Sequence, residues 1–247
     1  MSLSSERPII FAHRGASGYE YENSTSAFNY AITLGADGIE TDCWLSEDGE
    51  VVVHHDLLIK ASPSLNIQKM TLQEIQNLSL PNGDKILSLR ELFEQFGSND
   101  ILSNRLDPLK FSIDVQDNKV GPSIANLVEE FGLIDRVDLC CDTLWKMKNI
   151  RKINQRVRLV ASNLEHMIKP KHLVSGGKMA SFKIEAFNIK AEYFSPKMKE
   201  ALNQYGYKYY IWDLHSSRIL RQYLPYSPDA IYSNFPDKAI KALNSMI

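Results

Sequence analysis

Residues 8–56 read PIIFAHRGASGYEYENSTSAFNYAITLGADGIETDCWLSEDGEVVVHHD, and the order of elements along this stretch decides the fold. The apolar run 8–12 has the composition of a buried strand. Within 25–34, Ala27, Phe28, Ala31, Ile32 and Leu34 fall roughly on one face at helical spacing, and Gly35 stops the helix. A second strand follows over 38–45. Glu47-Asp48-Gly49 is a tight turn, and 51–54 is a third strand. Strand, helix and strand in this order predict a parallel βαβ unit. The short turn predicts a hairpin-like link between the second and third strands.

Outward from this stretch, 57–70 is less regular. Thr71 with Glu74, and Ser88 with Glu91, have the spacing of capping boxes that open two helices. Further strands are expected over 111–115, 137–140, 157–161, 182–186, 207–212 and 230–233. Helices are expected over 123–131, 143–153, 196–205 and 217–223, and Asp237 is expected to cap a last helix ending near Met246. The strand candidates number nine, one more than a TIM (β/α)8 barrel holds. Residues 182–186 are the expected surplus, as a loop or an extra strand. The 247 residues suit one α/β barrel, and no linker, repeat or low-complexity segment interrupts them. The expectation is therefore a single domain over 1–247.

A net charge of −2 speaks against broad binding to nucleic acid or an anionic membrane. No stretch approaches the ~20 apolar residues of a membrane span, so no stable membrane insertion is expected. Residues 1–7 lack the apolar run of a secretion leader. Cys43, Cys140 and Cys141 are odd in number and two are adjacent, which gives no disulfide framework and no zinc spacing. The expected location is a reduced compartment, the cytoplasm.

The chemistry-bearing residues gather at strand ends: His13-Arg14-Gly15-Ala16, Glu40-Thr41-Asp42, His54-His55-Asp56 and Asp114-Val115-Gln116-Asp117. Residues two apart on a strand share a face, so Glu40 and Asp42 point the same way and Thr41 the other. Two carboxylates on one face repel unless a cation lies between them. The alternative is a solvated strand face, but the apolar surroundings in GADGIETDCWL argue for burial, which costs too much for unpartnered carboxylates. Asp114 can enter the same space from a neighbouring strand, and three carboxylates suit Mg²⁺ or Ca²⁺ better than zinc. His13 and His55 each follow an apolar strand, at the rim where barrel active sites lie. A lone histidine there is more often structural, whereas a pair can serve as general acid and general base around a phosphate. His54 points away from His55 and reads as structural. Arg14 can grip a phosphate with two hydrogen bonds, or pair with Glu20 or Glu22. Gly15 and Gly18 let the loop turn tightly near a ligand. Trp212 ends a late strand, as a cleft residue or a core aromatic. Phe187, Tyr193 and Phe194 are either an apolar wall for a leaving group or helix packing. Lys183 and Lys190 read as solvated.

The runs FAHRGASG, YENSTSAF, GADGIETDCWLSEDGEVVVHHD and LSLREL, in this order and spacing, resemble the glycerophosphodiester phosphodiesterase family. The later KFSIDVQD, YKYYIWDL and DAIYSNFP resemble it more loosely. The resemblance implies a TIM barrel that hydrolyses a small-molecule glycerophosphodiester to glycerol 3-phosphate and an alcohol. It implies one divalent cation on Glu40, Asp42 and Asp114, acid–base roles for His13 and His55, phosphate contact by Arg14, and a loop-orienting role for Asp56. Glu22 and Asn23 match a loop usually written Pro-Glu-Asn-Thr, with Tyr21 in place of the proline. Asp114 stands where the family has glutamate, Gln116 where it has lysine, and Ser233-Asn234 where it has Thr-Asp. Gln116 removes a positive charge from the phosphate site, which Lys183 or Lys190 could replace. Gln116 and Trp212 are the expected substrate contacts beside Arg14. Two rivals share the fold: a lysophospholipase D acting on lipids, and a non-catalytic barrel that binds a phosphate ligand or a protein.

Overall fold

In β1 (Ile9–Ala12), Ile10 and Ala12 point outward while Phe11 points into the barrel. The structure is a computed structural model that describes residues 7–60, 64–98, 107–214 and 216–245. α1 (Thr25–Thr33) is capped by Ser24, whose hydroxyl accepts from the Ala27 amide, and it buries Ala27, Phe28 and Ala31. β2 (Gly38–Leu45) turns back into β3 (Val51–Val53), and the two pair antiparallel as the short turn predicts. A small ribbon, β4 (Leu58–Ile59) with β5 (Leu65–Asn66), follows. α2 (Leu72–Gln76) and α3 (Leu89–Phe96) both open on the expected capping boxes. α3 buries Leu89, Leu92, Phe93 and Phe96, the spacing of one helical face.

From there strand and helix alternate. β6 (Lys110–Val115) precedes α4 (Val120–Glu130), and β7 (Val137–Cys141) precedes α5 (Leu144–Ile153). β8 (Arg158–Ser162), the short α6 (Pro170–Leu173), β9 (Ile184–Lys190) and α7 (Pro196–Gln204) come next. β10 (Lys208–Trp212), α8 (Ser217–Tyr223), β11 (Ala230–Ser233) and α9 (Pro236–Asn244) complete the described elements.

The parallel strands run β1-β11-β10-β9-β8-β7-β6-β2, and β1 pairs with β2 through Phe11↔Gly38 and Ala12↔Ile39, closing the sheet into the expected TIM (β/α)8 barrel. β3 hangs outside the closure on β2. This corrects the expectation for 182–186. The surplus strand is β3, whereas β9 is a full member of the barrel, pairing with both β8 and β10. Its inward residues are Ala186 and Asn188, its outward ones Phe187 and Ile189. Gly38 lies where the sheet meets itself: a Cβ there would come within 2.6 Å of the Phe11 ring and 2.7 Å of the Lys110 carbonyl oxygen.

Several elements start one or two residues from the expected positions, and two helices open differently from expectation. α4 begins three residues earlier than residue 123, at Val120. Asp237 is not the cap of α9. Phe235 occupies that position without a side-chain cap, and Asp237 sits in the first turn, where a carboxylate suits the positive end of the helix. Met246 and residues 1–6 lie outside the described residues.

The core has two layers. Outward strand residues such as Ile39, Phe111, Ile113, Leu139, Leu159 and Ile211 pack under the helices. Inside the barrel, Phe11, Cys140, Val160, Ala186, Tyr210, Ala230 and Tyr232 pack against one another, with Phe11 and Tyr232 stacked at 5.3 Å. Also inside, the Tyr210 hydroxyl donates to Asp138 Oδ2 at 2.9 Å and Arg158 Nε donates to Asp138 Oδ1 at 2.6 Å. Among the described residues no helix is long and apolar enough to cross a membrane.

Candidate active site

Strand parity decides what reaches the barrel mouth. On β2, Ile39 and Cys43 face the helices, so Glu40 and Asp42 face inward. On β6, Ile113 and Val115 pack outward, so Asp114 faces inward, and Gln116 follows it just past the strand. The register sets Asp42 directly beside Asp114. Carboxylate oxygens of Glu40, Asp42 and Asp114 lie within 4.8 Å of one another. Burial, then the neighbouring Asp42 and Asp114, push the Glu40 carboxyl well above its usual range. Burial and Asp42 raise Asp114 to about 7. Three oxygen-donor carboxylates whose own repulsion resists ionisation fit a hard divalent cation, which removes that repulsion.

Beyond β1 the chain passes through left-handed Arg14 (φ 54°) and Gly15 (φ 78°). This turn aims the Arg14 peptide N–H at Glu40 Oε2, 2.8 Å away. The Arg14 side chain donates from Nη1 to Glu22 at 2.9 Å, and its Nε lies 3.4 Å from Asp42. Burial opposes the charge on Arg14, but Asp42, Glu22 and Glu40 more than offset it, so its pKa is raised. Gly15 and Gly18 answer to packing. A Cβ on Gly15 would meet Ala27 at 2.8 Å, and one on Gly18 would meet the Phe235 ring at 2.2 Å.

His13 donates from Nδ1 to Asn234 Oδ1 at 2.7 Å, and its Nε2 lies 3.9 Å from Glu40 Oε2. His55 donates from Nδ1 to Asp56 Oδ1 at 2.8 Å. Its carbonyl accepts from Trp44 Nε1 at 3.0 Å, tying the hairpin end down. His54 is turned elsewhere, with Nδ1 donating to the Asp56 carbonyl at 2.7 Å. Each rim imidazole is thus anchored through Nδ1.

His13, Arg14, Glu40, Asp42, His55, Asp114, Gln116 and Trp212 all line one cavity of about 220 Å³. These are the residues expected from the sequence as metal ligands, acid–base groups and substrate contacts. Gln116 Nε2 donates to Asp42 Oδ1 at 2.7 Å. Phe187 and Phe194 are absent from the lining. Phe187 packs outward against Tyr207, and Phe194 packs among Tyr209, Tyr223 and Tyr226, while Tyr193 is exposed. Lys183 is exposed beyond the site, and Lys190 lies over the Trp212 ring.

Sequence reasoning named Asn23 only as part of a matching loop and missed several other neighbours. Asn23, left-handed at φ 54°, accepts from the Thr41 hydroxyl and donates to Asp42 at 3.3 Å. Asp142, Ser162, Asn163 and Asn188 line the wall formed by β7, β8 and β9. A polar residue at an inward position of an apolar strand is the signal that marks Asn188 and Ser162. Asn188 Oδ1 and Trp212 Nε1 are buried with no protein partner.

A parallel barrel whose rim gathers three carboxylates, two anchored imidazoles and a guanidinium has the architecture of a barrel hydrolase that handles anionic esters. The model of the Glycerophosphoryl diester phosphodiesterase family matches residues 13–238, and the chain belongs to this family of metal-dependent phosphoric diester hydrolases. It is 25% identical over 245 residues to a glycerophosphodiester phosphodiesterase of Caldanaerobacter subterraneus subsp. tengcongensis, spanning 95% of this chain and 97% of that one. A lysophospholipase D of Rattus norvegicus is 29% identical over 135 residues, which cover 49% of this chain and 40% of the relative. The fold matches a solved phosphodiesterase of Oleispira antarctica in complex with the product sn-glycerol-3-phosphate, with a TM-score of 0.79 at 17% identity, covering 96% of this chain and 97% of that one.

Proposed function

We propose that the chain, as one barrel domain over 1–247, hydrolyses small glycerophosphodiesters to glycerol 3-phosphate and an alcohol. The observation that carries this reading is the convergence of Glu40, Asp42 and Asp114 to within 4.8 Å, in the same cavity as two imidazoles each held by Nδ1. Glu40, Asp42 and Asp114 are the proposed ligands of one divalent cation, Mg²⁺ or Ca²⁺. A cation bound there supplies positive charge against the phosphoryl group, where charge grows in the transition state. Arg14 adds a second positive charge, fixed by Glu22 and Asp42 so that it needs no rearrangement at the moment of reaction. His13 and His55 exchange protons through Nε2. One takes the proton of the attacking oxygen and the other gives a proton to the departing alcohol. Gln116 donates one amide N–H to Asp42, and its second N–H and its oxygen remain to meet substrate beside Trp212. Asp56 and Asn234 position the two imidazoles.

The similarity to a glycerophosphodiester phosphodiesterase of Caldanaerobacter and a phosphodiesterase of Oleispira solved with sn-glycerol-3-phosphate supports the reaction class. The described cavity lining is mostly charged or amide-bearing, which suits a small polar substrate better than an acyl chain.

The test is release of glycerol 3-phosphate from a panel of glycerophosphodiesters. His13→Ala and His55→Ala are each expected to lower turnover by ~10²–10⁴ while the circular dichroism spectrum stays that of the folded protein. Near-normal rates for both variants refute the histidine roles. Full activity after exhaustive chelation refutes the cation.

A further inference from the structure

The barrel wall facing the acidic cluster has polar atoms that no protein group satisfies. In the strand order, β9 lies across the barrel from β2, and β10 lies across from β6. From β9, Asn188 reaches into the cavity at 6% exposure, with one end of its amide donating to Ser162 Oγ at 3.3 Å and the other unpaired. From β10, the Trp212 indole lines the same cavity with its Nε1–H unpaired. Asn188 pairs in register with Tyr210, so Trp212 is its diagonal neighbour on the adjoining strand. Buried polar groups in folded proteins almost always find partners, and here an orphaned acceptor and an orphaned donor sit on adjoining strands that line one cavity. A hydroxyl is the small group that fits both at once, because it donates to the amide oxygen and accepts from the indole N–H.

The carboxylates of this wall already have cationic partners, with Lys190 shared between Glu192 and Asp213. Asp142 is paired with Lys146 Nζ at 2.7 Å, and Lys190 Nζ lies 3.6 Å from Asp213 Oδ2. The Lys190 ammonium also sits 5.6 Å from the Trp212 ring centroid, so one face of the ring already holds a cation. A quaternary or primary ammonium head group thus finds neither an unpaired carboxylate nor an open cage here, among the described residues.

We infer that Asn188 and Trp212 are specificity-determining residues for the leaving alcohol, and that this alcohol is an uncharged polyol whose second hydroxyl bridges the Asn188 amide and the Trp212 indole N–H. The inference rests on the phosphodiesterase reading above and names the substrate class of that same site. A hydroxyl partner rejects an analogue lacking it, because the buried groups are then left unpaired.

The test compares glycerophosphoglycerol, glycerophosphoethanol and glycerophosphocholine by kcat/KM. The first two share the glycerol 3-phosphate half and differ in the hydroxyls of the departing alcohol. The wild-type protein is expected to favour glycerophosphoglycerol by roughly ten-fold or more over each of the others. Asn188→Leu and Trp212→Phe are expected to bring the glycerol-to-ethanol ratio down to within about two-fold of one. A variant that merely folds poorly lowers both substrates alike and preserves the ratio, which counts against the assignment. A wild-type ratio near one, or a preference for the choline ester, overturns the inference while leaving the phosphodiesterase reading intact. Turnover of none of the three refutes that reading, and this inference with it.

Discussion

Asp114 shares the metal-free protein's response to pH with Glu40, whose carboxyl burial and Asp42 also raise. The Asp114 carboxyl titrates at about 7, pushed up by burial and by Asp42, against ~3.9 for an exposed aspartate. Between those values the folded protein holds a proton that the unfolded chain has released. Its contribution to stability is therefore complete below ~4 and lost as the pH rises through about 7. In chelator, the melting temperature is expected to fall across this window, and Asp114→Asn to flatten the fall. A melting curve that rises with pH in the wild type contradicts this. The same proton competes with a divalent cation, so cation affinity measured by calorimetry is expected to increase over the same range. At the neighbouring position, Gln116→Lys places an ammonium beside Asp42 and is expected to tighten inhibition by inorganic phosphate several-fold, read as a lower inhibition constant. Strand parity alone placed Glu40 with Asp42, because the period of two is local. Asn234 on His13 was not readable that way, since 221 residues separate the partners and only barrel closure joins them.

At the scale of elements, β3 and β9 show where reading by composition ends. Val51–Val53 is as apolar and β-branched as a barrel strand, yet the turn at Glu47-Asp48-Gly49 is too short for a crossover and forces an antiparallel partner. Ile184–Lys190 looks weaker because Asn188 and Lys190 interrupt the apolar run, but both fall at inward parity near the polar mouth, where such residues are at home. The approach to β9 is held from outside by Arg151 on α5. Its guanidinium donates to the carbonyls of Phe182, Lys183, Asn154 and Val157 at 2.8 to 3.3 Å. Burial lowers the pKa of this arginine, and those carbonyls satisfy its buried N–H groups. Arg151→Met leaves them unsatisfied and is expected to cost ~2–4 kcal/mol in urea unfolding. A loss under ~0.5 kcal/mol would show that water or another side chain takes over.

For the whole molecule, a cation on the three acids would be linked to the closure of the barrel, because they come from β2 and β6 while the residue that touches Glu40 through its peptide N–H, Arg14, closely follows β1. A cation at a hundred times its dissociation constant is expected to add ~2.7 kcal/mol to the unfolding free energy, and Glu40→Gln or Asp42→Asn to abolish that gain in the same titration. The barrel itself was legible from the alternation of elements, but which strands meet to close it was not, since that depends on how the first and last strands pack around Phe11 and Tyr232. The joins around those strands are unequal in length. β11 and β1 pair in register from Ile9↔Ala230 to Ala12↔Ser233, whereas the β1–β2 ladder pairs two residues, Phe11 and Ala12, and the β11–β10 ladder two, Ala230 and Ile231, each extended by one flanking amide from Asp37 or Asp229. This pair of staves, with His13, Arg14 and Asn234 riding on its upper edge, is fastened firmly to itself and lightly to the rest of the cask. Deuterium uptake is therefore expected to enter along its two outer seams together and ahead of the β2–β6 ladder, and to slow at both once a ligand spans His13 and Glu40.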